Sequence, residues 1–181
     1  MRWVLLIVIL SLCNSCWMVR HKNFTLPLNG HVKNNSIKMN GYFIHLNPAD
    51  QFELLLFYNN GVAYKVNMGM GYLKDEGIDS FVAKRILTNQ PIISDTKNPG
   101  SFQINGNKIE MNIIIHTNYN WHRVNVLQGT ILTDTSIVIY SDDRPSIHHN
   151  QNDTVLYHFV PAAAKPDSTN WLRHRKWYRG K

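Results

Sequence analysis

Cysteine is almost missing from this 181-residue chain, and the two that occur, Cys13 and Cys16, both lie close to its amino terminus. Cleavage before Cys16 would leave 181 − 15 = 166 residues with a single cysteine, which excludes an internal disulfide. A chain of that size buries roughly two thirds of its unfolded surface, so one domain can stand on its core alone. Long apolar runs are lacking too. The stretch Trp3–Leu12 spans about ten residues, against the roughly 20 that a membrane-spanning helix requires. Acidic residues are scarce, 12 against 19 Lys and Arg, which sets the net charge at +7. Charged residues make up 17% and hydrophobic residues 44%, the balance of a globular chain rather than a disordered one. No Gly-x-Ser-x-Gly elbow, His-Glu-x-x-His pair, cysteine cluster or glycine-rich phosphate loop occurs, and Gly69-Met70-Gly71 is a small-residue stretch between strands. These absences argue against the common hydrolases, zinc enzymes and nucleotide binders.

What is present begins at the amino terminus. Arg2, the apolar run Trp3–Leu12 and then Cys13-Asn14-Ser15-Cys16 have the three-part layout of a secretory signal. Ser15-Cys16 resembles the lipobox of bacterial lipoproteins, in which the cysteine thiol is acylated and becomes the first mature residue. Asn14-Ser15-Cys16 fits the looser Bacteroidetes version, although Cys13 stands where Leu or Val is usual. An ordinary secretory leader with an incidental cysteine is the other reading. The expected organisation is a signal over 1–15, an anchor and tether over 16–37, a β domain over 38–163 and a basic aromatic tail over 164–181.

Strand signals dominate the domain. In "GYFIHL" (41–46), Tyr42, Ile44 and Leu46 share one face while Phe43 and His45 share the other. "ELLLFY-NNG-VAYKVN" (53–67) and "SFQI-NGN-KIEMNIIIH" (101–116) are hairpins turning at Asn60-Gly61 and Asn105-Gly106, since Asn-Gly supplies the positive φ that tight turns need. In the second, Ile109, Met111, Ile113 and Ile115 line one side, and Lys108, Glu110, Asn112 and His116 line the other, which is expected to be largely wet. Further runs lie at 122–132, 136–140 and 154–160. About eight strands in simple succession predict an all-β fold with minor α content. The expected form is an antiparallel meander curling into a lipocalin-like barrel or a strongly curved sheet. One short inserted helix, "DSFVAKRILTN" (79–89), is N-capped by Asp79, bounded by Pro91, and expected to cover one end of the sheet.

Several elements together resemble a group of small Bacteroidetes lipoproteins with a lipocalin-like β-barrel or meander domain. They are Gly41-Tyr42, Phe57 followed by Asn60-Gly61, Gly100-Ser101-Phe102 before Ile104-Asn105-Gly106-Asn107, the Tyr157-His158-Phe159 strand, and Lys165-Pro166-Asp167-Ser168-Thr169-Asn170. The resemblance covers roughly residues 41–171 and implies a fold and a location but no substrate or reaction. Pro99-Gly100-Ser101-Phe102 departs from the Trp-Gly-Ser-Tyr usual in the group, so one aromatic anchor is missing. Asp153-Thr154-Val155 also resembles the short O-glycosylation acceptor of that phylum, the start of a strand being the other reading.

Candidate chemistry is thin. Of nine histidines, His148-His149 is the densest pair, but neighbours on a strand face opposite ways, and beside Asp142-Asp143-Arg144-Pro145 they read as a polar loop. His116 and His122 flank Tyr119-Asn120-Trp121 and could form a rim pair, surface histidines being the plainer account. Asp75, Glu76 and Asp79, and Asp142, Asp143 and Asp153, read as solvated loop charge rather than paired catalytic carboxylates. No cofactor, metal or enzymatic activity is expected.

The basic excess gathers in "NWLRHRKWYRGK", where Trp171, Arg173, Arg175, Lys176 and Trp177 suit a lipid headgroup boundary. A frayed soluble tail is the plainer reading. Trp17-Met18-Val19-Arg20-His21-Lys22 carries neither the acidic cluster of surface lipoproteins nor an Asp retention signal, which favours a periplasm-facing outer-membrane lipoprotein, a location at which nucleic acid is not an expected partner. Two functions fit. One is a non-enzymatic module holding an apolar small molecule in a cavity lined by Tyr42, Phe57, Tyr64, Phe102, Trp121, Tyr157 and Phe159, although most of these aromatics are read as packed core. The other is a filled barrel that meets envelope proteins through its rim and tail.

Overall fold

The computed structural model describes residues 24–26, 36–47, 51–69, 80, 82, 97–116, 122–142, 154–162, 168 and 178. Eight antiparallel strands follow one another in order: β1 (Gly41–Asn47), β2 (Gln51–Phe57), β3 (Val62–Gly69), β4 (Lys97–Asn105), β5 (Lys108–His116), β6 (His122–Thr133), β7 (Ser136–Asp142) and β8 (Val155–Pro161). Each pairs with the next, and β8 returns to β1 through Gly41↔Pro161, Tyr42↔Val160, Phe43↔Phe159 and Ile44↔His158, which closes the barrel. Closure leaves no edge strand to recruit a stray partner.

Both Asn-Gly hairpins form where the sequence places them. Gly61 (φ 79°) and Gly106 (φ 61°) take the left-handed conformation that a side chain would strain. Asn60 adds a local bond, accepting the Val62 N–H at 3.2 Å. These turns share one end of the barrel with the turn between β6 and β7 and with the approach to β1. Lys38 N–H donates to the Asp134 carbonyl at 2.9 Å there. Ile37 is buried in the interior core, with Met39 packed against it. That end is therefore closed by short turns and apolar side chains.

Alternation along the strands sorts the side chains into two clusters. Phe43, Leu55, Phe57, Ala63, Phe102, Ile109, Met111, Ile113, Leu127, Ile131, Ile137, Ile139 and Tyr157 point inward. Phe159, Phe43, Phe57 and Phe102 meet edge to face in sequence, at centroid separations of 5.4, 5.7 and 4.9 Å, so aromatic rings span the interior. The other cluster lies outside β1–β3, where Tyr42, Phe52, Leu54, Leu56, Val62, Tyr64 and Val66 pack with Val82. No helix is defined among the described residues, and of the helix expected over 79–89 only Ser80 and Val82 belong to them. Val82 lies on the outer wall rather than over an end of the sheet.

Three sequence expectations change. Tyr42 and Tyr64 face outward in the outer cluster rather than into the barrel interior. The face of β5 expected to be wet holds Asn112, which is fully buried, and Ile114 is buried as well. The expected tether over 16–37 contributes Leu26 and Ile37 to the buried set, and the tail contributes Tyr178, also fully buried. Leu26, Ile37 and Tyr178, which flank the strands in sequence, thus belong to the packing of the barrel, because removing apolar surface from water is favourable wherever along the chain it comes from.

Candidate functional site

The interior changes character toward the end away from the short turns. His45, Glu53 and Lys65 continue the inward-facing rows of Phe43, Leu55 and Ala63 on β1, β2 and β3, and Tyr157 on β8 completes a group spread over four adjacent strands. The register sets His45 opposite Glu53 and Lys65 opposite Leu55, which puts the Glu53 and Lys65 side chains on a diagonal. Lys65 Nζ lies 3.0 Å from Glu53 Oε2. Tyr157 donates its hydroxyl proton to the same oxygen at 2.5 Å. One carboxylate oxygen thus gathers a cation and a phenol.

Burial differs across the group in a way that gives it direction. The Lys65 side chain is 3% exposed and that of Glu53 18%, so water reaches the carboxylate from the polar end while the ammonium sits below it. His45 Nδ1 donates to the Leu156 carbonyl at 3.0 Å, and its ring stands 5.7 Å from that of Tyr157. With Nδ1 committed as the donor, a neutral imidazole presents Nε2 as an acceptor. Asn98 lies opposite Lys65 on β4, and Asn125, buried, lies opposite Ile113 on β6. A band of amide, carboxylate, ammonium and phenol therefore sits above the phenylalanine core.

The loop candidates singled out in the sequence, Asp75, Glu76 and Asp79, Trp121, and Asp143, His148, His149 and Asp153, belong to the connections between β3 and β4, β5 and β6, and β7 and β8. Those residues lie outside the described set, as do Cys16, Trp171, Arg173, Arg175, Lys176 and Trp177. His116 and His122 are directly opposite each other in the backbone register of the β5–β6 ladder. Among the described residues no group of three or more His, Cys, Asp or Glu could hold a metal ion, and no helix is long and apolar enough to cross a membrane.

The central residues of the site, Glu53 and Lys65, are not evident from sequence pattern. In "VAYKV" the Val62, Tyr64 and Val66 positions form the more apolar face, and alternation alone would turn that face inward and Lys65 out to water. The outer cover over β1–β3 reverses this, because both faces of β2 and β3 are buried. The one available signal was a single charge inside each of two otherwise apolar runs, Glu53 and Lys65. Comparison with family models, with curated proteins and with solved structures returns no match to the chain.

Proposed function

We propose that the chain is a lipid-anchored envelope protein, held through Cys16, whose barrel is a non-enzymatic binding module for a small amphipathic molecule taken up at the polar end. The observation that carries this reading is the Glu53–Lys65–Tyr157 group inside the barrel. A buried ion pair costs several kcal/mol per ion in desolvation, and apolar residues of similar volume generally serve a core as well or better. Small-ligand sites combine an apolar body with a few convergent polar groups, which is the arrangement above Phe43 and Leu55. The opposite end is closed by short turns and by Ile37, so approach to the group is read from the polar end.

The test is native mass spectrometry of the protein extracted from its own membranes in mild detergent, comparing wild type with the paired replacement Glu53→Leu/Lys65→Met. A small molecule retained by wild type and lost from the folded pair variant is the expected result. Retention of nothing by either, or of the same molecule by both, overturns the reading.

The filled-barrel alternative has its own support in the edge-to-face run Phe159–Phe43–Phe57–Phe102, which occupies the lower interior with side chains. Under that reading the same spectra show bare protein, and cross-linking in membranes captures an envelope protein at the rim.

A further inference from the structure

The outer wall of β4 and β5 carries a second constructed feature. Ser101 and Asn112 are directly opposite in the ladder, so their side chains stand together on the outer face, and both are fully buried. Their partners are main-chain groups of a segment distant in sequence. Thr25 N–H donates to Asn112 Oδ1 at 2.8 Å, and Ser101 Oγ donates to the Leu26 carbonyl. One side chain reads an amide and its neighbour reads the next carbonyl.

Further contacts fix the ends of this short segment. Thr25 Oγ1 approaches Asn112 Oδ1 at 3.2 Å and Glu110 Oε1 at 3.5 Å. Leu26 is buried, and Phe24 meets the Tyr178 ring edge to face at 5.5 Å. Tyr178 is itself pinned by donating its hydroxyl to the Gly100 carbonyl at 2.8 Å. Among the described residues, Asn112 Nδ2 is a buried donor with no hydrogen-bond partner. A buried donor without an acceptor is costly to leave so, and a peptide carbonyl would satisfy it.

We propose that Ser101 and Asn112 form a receptor for the main chain of an extended peptide, and that residues 24–26 are its resident ligand, bound in cis and releasable. The ligand class is an extended segment with an aromatic, a small hydroxyl and an aliphatic side chain in succession, as in Phe24-Thr25-Leu26. Main-chain bonds supply affinity and the side-chain seats supply selectivity, as in other peptide-binding surfaces. A tethered occupant holds its seat at high effective concentration, so a free peptide competes poorly until the tethered one is released. The inference stands independently of the polar end and of any lipid at Cys16.

The full-length chain bearing Thr25→Pro, which deletes the amide read by Asn112, opens the seat. Fluorescence anisotropy with a labelled peptide of residues 21–30 then reads it. Saturable binding to this variant is expected, with wild type about tenfold weaker and the added substitution Asn112→Ala about tenfold weaker again, the scale of one lost hydrogen bond. Binding to Thr25→Pro no stronger than to wild type, or indifferent to Asn112→Ala, overturns the proposal. Should Thr25→Pro fail to fold, amide hydrogen exchange on the unaltered chain decides. Protection of the Thr25 amide that disappears in Asn112→Ala, with the β5 amides still protected, supports it. A Thr25 amide exchanging at the free-peptide rate in wild type overturns it.

Discussion

At the scale of single residues the molecule turns on Glu53 and Lys65. Removing the lysine alone takes a cationic partner from a carboxylate in the interior, and since Glu53 keeps the Tyr157 hydroxyl and some contact with water the cost falls below that of a fully buried orphan. Lys65→Met is expected to lower the urea unfolding free energy by about 2–4 kcal/mol. Glu53→Leu with Lys65→Met is expected to cost less than Lys65→Met alone, because the desolvation cost of both ions disappears along with their attraction, and what remains is the Tyr157 hydroxyl's loss of its acceptor. The contrast between single and paired replacement separates stability from binding: the paired variant folds yet lacks the polar group. Tyr157→Phe tests the same oxygen from the other side. Loss of a hydroxyl donated to a charged acceptor costs about 2 kcal/mol, read as a shift in the urea midpoint at constant slope.

At the scale of elements, two glycines constrain the strands for different physical reasons. Gly61 sits at φ 79° in the β2–β3 turn, where a Cβ meets its own backbone. Gly61→Ala is expected to cost about 1–2 kcal/mol while leaving the barrel's circular dichroism spectrum unchanged. Gly129, on β6 beside a register shift, faces inward opposite Ile109. A Cβ there would strike the Val138 carbonyl and come within 2.7 Å of Ile139 Cδ1 and 3.1 Å of Ile109 Cγ2. Gly129→Ala is therefore expected to cost about 1–3 kcal/mol by overpacking, and the paired change Gly129→Ala/Ile139→Val to recover part of it in thermal melts. The Asn-Gly turn was legible in the sequence because turn geometry is local. The need for a bare backbone at Gly129 was not, because it arises from atoms on β5 and β7.

The same division runs through whole elements. All eight strands were legible, since β-branched and aromatic runs between turn residues bury a face wherever the chain goes next. The division of β1 into two faces was legible because Tyr42, Ile44 and Leu46 alternate with Phe43 and His45, but which face turns inward was not: the Phe43 face fills the interior and Tyr42 lies outside. In "FELLLF" alternation is lost, because Leu54 and Leu56 are buried under the outer cover while Leu55 and Phe57 fill the interior. A strand buried on both faces gives no phase from which to read where Glu53 points. The candidate site was consequently invisible at this level, whereas the loop histidines and acids that drew attention lie outside the described residues.

At the scale of the whole molecule, closure depends on four residue pairs between β1 and β8, which join positions as far apart in sequence as Gly41 and Pro161. Phe43 stands at that seam between Phe57 and Phe159. Phe43→Ala is expected to cost about 3–5 kcal/mol and to expose the seam to hydrogen exchange before the β4–β5 hairpin. The cysteine distribution makes a separate prediction: melting of the barrel is indifferent to reductant, since the only two cysteines are Cys13 and Cys16. Under the proposed anchoring, Cys16→Ala shifts the protein from the membrane to the soluble fraction with its melting temperature unchanged.

The amino-acid sequence by itself determined the strands, their order, the tight turns and the lack of cysteine in any strand, because each follows from side-chain chemistry within a few residues along the chain. Tertiary structure alone decided which face became the inside, that β8 would meet β1, and that Glu53, Lys65 and Tyr157 would share one carboxylate oxygen. Those outcomes depend on burial and register between strands a hundred residues apart. The same sequence pattern accommodates an open sheet until the last strand finds the first.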